Sequence, residues 1–116
     1  MLPNTYIQIQ SESGQSLAAI NPGSEEIALP RLATVEALTT LTGMGIAVLG
    51  GDVLTKKNGS LEYVYANWSC SKKDNESFND YAVRSLQLAV SYVSNFTPAY
   101  AFEPLFVCVL KMSSKA

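Results

Sequence analysis

The chain has 116 residues, of which 47% are hydrophobic and 16% charged. That is enough for one globular domain with a real core and no metal or disulfide framework. A net charge of −2 excludes the basic excess of a general nucleic-acid binder, and the absence of histidine removes the commonest general base and metal ligand.

The charge is unevenly spread. Residues 1–55 carry one base, Arg31, against five acids (Glu12, Glu25, Glu26, Glu36 and Asp52), a net of −4. Residues 56–116 carry seven bases against five acids, a net of +2. An acidic half suits a basic partner, although ordinary solvated surface gives the same pattern. No apolar run approaches the ~20 residues of a membrane span, and the N-terminus lacks the basic start and apolar stretch of a secretory signal. The expected location is cytoplasmic, where Cys70 and Cys108 are free thiols.

In chain order, Ile7 and Ile9 alternate with Gln8 and Gln10, so residues 4–10 read as a half-buried strand. Residues 11–16 read as loop. The short apolar piece Leu17–Ile20 ends at Asn21-Pro22-Gly23, a turn. A helix begins near Pro30 with an apolar stripe of Leu32, Val35, Leu38 and Leu41, and Gly43 and Gly45 end it. Ile46 starts a strand that runs through Gly50-Gly51-Asp52 to the hairpin turn Asn58-Gly59, and Leu61–Trp68 return. Residues 71–77 are polar loop. Ser77 and Asp80 resemble a capping box for a helix to about Ser94, with Phe78, Ala82, Leu86, Ala89, Val90 and Val93 on its apolar face. Leu105–Leu110 read as a central strand buried on both faces. The order β-α-β-β-α-β predicts a single α+β domain over residues 1–116, with a mixed or antiparallel sheet of about four strands and two helices on one face.

A two-residue turn at Asn58-Gly59 sets a register in which Asp52 faces Tyr65, Gly50 faces Asn67 and Leu49 faces Trp68. Alternation then puts Leu49, Val53, Val64, Ala66 and Trp68 on one face, which reads as core. Asp52, Leu54, Tyr63, Tyr65 and Asn67 share the other. Asp52, Tyr63, Tyr65 and Asn67, with Glu62 on the same hairpin, are the candidate partner contacts. Gly50-Gly51 reads as a place for a bulge or a close backbone approach.

The chemical inventory is sparse. There is no Cys-x-x-Cys pair, phosphate-binding loop or nucleophile elbow, so no catalytic residue, metal ligand or cofactor is assigned. Asp52 and Glu62 fall on opposite faces of the hairpin, which counts against paired-carboxylate hydrolysis.

Taken together, Gly45–Val53, Asn58–Glu62 and Tyr65–Trp68 resemble the immunity protein 40 family of bacterial polymorphic-toxin systems. The likeness continues through Asn75-Glu76-Ser77-Phe78, Tyr81 and Arg84-Ser85 to the closing strand, and upstream to Ala28-Leu29-Pro30-Arg31, covering roughly residues 28–110. The resemblance implies a non-enzymatic protein that binds the C-terminal domain of a cognate toxin, as in contact-dependent inhibition, without nucleic acid, membrane or cofactor. Two other readings stand beside it: a small-molecule-binding α+β domain, and a small enzyme using Asp52 with Tyr65 or Cys70. A pocket of ~300 Å³ or more lined by Tyr63, Tyr65 and Asp52 would favour the small-molecule reading.

Overall fold

A computed structural model describes residues 2–113. The elements are α1 (Asn4–Ser13), β1 (Gln15–Ser16), a 3₁₀ turn (Leu17–Ala19), β2 (Ile27–Pro30), α2 (Arg31–Thr39), β3 (Ile46–Lys57), β4 (Ser60–Ser69), α3 (Phe78–Asn95) and β5 (Leu105–Met112). All strand pairs are antiparallel, in the order β1-β2-β5-β3-β4. The class is α+β, with five strands and three helices rather than four and two.

Residues 4–10 correct the expected first strand. The alternating isoleucines are outweighed by a helical stripe: Tyr6 is buried, and Leu2 and Ile9 pack partly buried against the same core. Ile7 is left half exposed. In α2 the apolar stripe also turns from its expected position. Thr34, Ala37 and Leu38 are buried, whereas Leu32 points outward. Thr34 can be buried because its hydroxyl donates to the carbonyls of Leu29 and Pro30 at 3.0 and 2.8 Å.

The main core lies between the helices and one sheet face, and includes Leu38, Val48, Val53, Trp68, Ala89, Val93 and Phe106. A second core forms on the opposite face, where Leu17 and Ile20 fold over Leu54, Leu61, Leu105 and Val107. The sheet is therefore sandwiched at one end only. β5 follows this division: Leu105–Val107 are buried on both faces, while Val109 is partly exposed. The expectation of a fully buried central strand fails beyond residue 107, because the covering segment stops there.

The hairpin keeps the expected register at its tip, from Lys57↔Ser60 to Leu54↔Tyr63. It then slips by two residues, so that Val53 pairs with Ala66, Asp52 with Asn67, Gly51 with Trp68 and Gly50 with Ser69. Neither Val64 nor Tyr65 has a partner on β3, and Tyr65 sits at φ 60°. The expected pairing of Asp52 with Tyr65 is replaced by Asp52 with Asn67. A two-residue slip preserves the alternation, so Trp68 still faces the helices and stacks on Tyr92 with ring centroids 4.7 Å apart.

The glycine pair fits this crossing. A Cβ at Gly50 would lie 2.2 Å from the Trp68 carbonyl oxygen. One at Gly51 would lie 2.1 Å from the Val107 carbonyl oxygen and 2.4 Å from the Trp68 ring. The ladder to β5 is also irregular between Val48 and Gly50.

Candidate partner-binding surface

Several motif residues turn out to tie the scaffold together. Ser77 caps α3 by accepting from the Asp80 N–H at 3.0 Å. The Ser85 hydroxyl accepts from the buried Val48 N–H at 2.9 Å and donates to the Ala82 carbonyl. The Tyr81 hydroxyl donates to the Cys70 carbonyl. Arg84 holds Glu76 with two nitrogens, each at 2.7 Å, and donates to the Ser71 carbonyl. These bonds fasten the 70–77 loop to α3. The hydrogen bond from Arg84, reinforced by the Lys73 N–H, holds the Glu76 carboxyl down at about 2.

Cys70 is buried, and Arg84 donates toward its sulfur at 3.3 Å. Burial pushes the Cys108 thiol up to about 12, far from the thiolate a nucleophile requires. The described residues contain no group of three or more potential metal ligands.

The uncovered end of the sheet carries most of the candidate contacts. Tyr65 is 93% exposed, Tyr63 is 38% exposed and Asn67 is exposed, whereas Asp52 is half-buried. Leu54, expected on this face, lies on it but is sealed beneath the second core. Tyr63 is raised above its ordinary pKa by partial burial and then by the negative charges of Glu26 and Asp52. Beside Asp52 lies a hollow of about 280 Å³, lined by Leu49, Gly50, Gly51, Asp52, Asn67, Trp68 and Val109. Neither Tyr63 nor Tyr65 lines it.

Glu62 stands apart. It pairs with Thr55 and lines a different cavity of about 540 Å³ with Lys56, Lys57, Tyr100 and Glu103. Another cavity of similar size runs between α2 and α3, over Leu41, Ile46, Ala82, Leu86 and Val90. The hairpin pattern does not indicate Glu26 and Val109 as part of the open face. Glu26 arrives there because Leu17 anchors its segment across the sheet, and its acidity is the one trace of this in the sequence.

A family model described as Immunity protein 40 matches residues 16–110. The chain belongs to the immunity protein 40 family. The match begins at residue 16 rather than 28, and so takes in the Leu17 segment that builds the second core. No curated protein and no solved structure matches the chain. Within this family member, Gly50, Gly51, Tyr81, Glu76, Arg84 and Ser85 serve packing, capping and loop attachment. No helix in the described residues is long and apolar enough to cross a membrane.

Proposed function

We propose that this chain binds a single cognate toxin domain and blocks it by occupancy, without catalysing a reaction, in the cytoplasm of the cell that makes it. The observation that carries this reading is the family match over residues 16–110. The toxin is the C-terminal domain of a polymorphic toxin delivered by a neighbouring cell, as in contact-dependent inhibition.

The docking face in this reading is the uncovered end of the sheet, formed by Asp52, Tyr63, Tyr65 and Asn67 with Glu26 beside them. Three features favour it. The aromatic ring of Tyr65 is held almost wholly in solvent on a left-handed backbone, a conformation costing about 1–2 kcal/mol in a non-glycine residue. Tyrosine supplies a large, stiff contact at low entropic cost and is enriched in binding hot spots. The carboxylates of Asp52 and Glu26 steer a basic partner toward the rings. Tyr65 also has a purely architectural role open to it, since a bulge discourages other strands from joining the β4 edge. Glu62 contributes only to a partner that wraps around the hairpin.

Co-expression tests the reading. The toxin domain encoded beside this gene should arrest bacterial growth when produced alone, and this chain should restore growth. Continued arrest with both proteins soluble and abundant would refute the proposal.

A further inference from the structure

We infer that the hollow beside Asp52 receives a lysine or arginine side chain of the toxin. This rests on the docking face proposed above and names the chemistry that the face selects. Asp52 is half-buried, yet its carboxylate has no hydrogen bond or ion pair with any described residue. Asn67, opposite it across the hairpin, likewise has a side-chain amide without a partner among the described residues. A partly desolvated carboxylate normally finds a donor within its own protein, so one left open is suited to a donor from outside.

Four of the chain's cations are engaged elsewhere or line another cavity. Arg84 is bound to Glu76, and Arg31 donates to the Val93 carbonyl at 2.7 Å. Lys56 and Lys57 line the separate cavity with Glu62. Glu26, another acid, lines an adjoining hollow that shares Val109 with this one.

Shape narrows the guest further. Gly50 and Gly51 leave part of the lining without side chains, while Leu49 and Val109 are its apolar residues. An aliphatic stem can lie along these residues while its charged head reaches Asp52 and the Asn67 carbonyl oxygen. A purely apolar guest would leave Asp52 unpaired, and an acidic one would be repelled.

The test uses the full chain and the purified toxin domain encoded beside its gene. Binding is measured by calorimetry for wild type, Asp52→Asn and Asp52→Ala, at low salt and at high salt. Both variants should melt as wild type does and bind roughly thirty-fold or more weakly, with a shallower dependence on salt. Replacing one toxin lysine or arginine by alanine should produce a similar loss, and combining it with Asp52→Asn should add little further. If the toxin binds wild type and Asp52→Asn equally tightly, the inference is overturned while the immunity reading stands. If the toxin does not bind wild type, both fall.

Discussion

Gly51→Ala tests whether the β3–β4 crossing is as tight as it looks. The added methyl would sit 2.1 Å from the Val107 carbonyl oxygen and 2.4 and 2.7 Å from Cη2 and Cζ3 of Trp68. Ordinary contact needs more than an ångström of further separation on both sides. The Trp68 ring can retreat only by disturbing its stack on Tyr92, which contributes about 0.5–1.5 kcal/mol beyond burial. The Val107 carbonyl can retreat only by opening the β3–β5 ladder beside the Asp52↔Val107 pair. Overpacking of this kind costs typically ~1–3 kcal/mol. Adding the weakened stack gives a loss of about 3 kcal/mol. For a domain of this size that lowers Tm by about 10 °C or more. Thermal and urea unfolding of the two proteins measure it. A Tm within roughly 2 °C of wild type would refute the packing argument. In a Trp68→Leu background the cost of Gly51→Ala should shrink, leaving the part due to the backbone oxygen.

Three further outcomes follow from individual contacts. Ser85→Ala strands the buried Val48 N–H and should destabilise the domain by about 1–3 kcal/mol, with faster hydrogen exchange at Val48; unchanged exchange there would contradict the assignment. The Glu76 carboxyl has a depressed folded-state pKa, so its stabilising contribution is present above the ordinary carboxylate range and disappears as pH falls through about 2. A side-chain NMR titration with its midpoint near 4.5, the ordinary value, would show that the Arg84 bond is absent in solution. Tyr65→Gly relieves a left-handed backbone and should stabilise the fold by about 0.5–1 kcal/mol in denaturant unfolding while weakening toxin binding. Loss of stability together with unchanged binding would make Tyr65 a structural residue.

Much of the architecture is legible in the sequence because its signals are local. Asn58-Gly59 sets the hairpin tip, Ser77 caps α3, and Pro30 stands immediately before α2. The errors arise where distant packing decides. Residues 4–10 satisfy both an alternating and a helical pattern, and docking of Tyr6 on the core selects the helix. The slip at Val64-Tyr65 has no local marker, since a tyrosine with positive φ is uncommon. Asp52, Tyr63, Tyr65 and Asn67 could be grouped from the hairpin alone because a two-residue slip leaves their alternation intact. Their true neighbours, Asn67 opposite Asp52 and Glu26 beside Val109, depend on the slip and on the Leu17 segment crossing the sheet.

The central claim is inhibition by occupancy, and a titration of toxin activity tests it most directly. The toxin domain is held at a concentration far above the dissociation constant, and residual activity is measured as this chain is added. Occupancy predicts a straight-line fall to zero at one equivalent, immediate at each addition. Complete inactivation by a small fraction of an equivalent, progressing with time, would mean catalysis and would contradict the account.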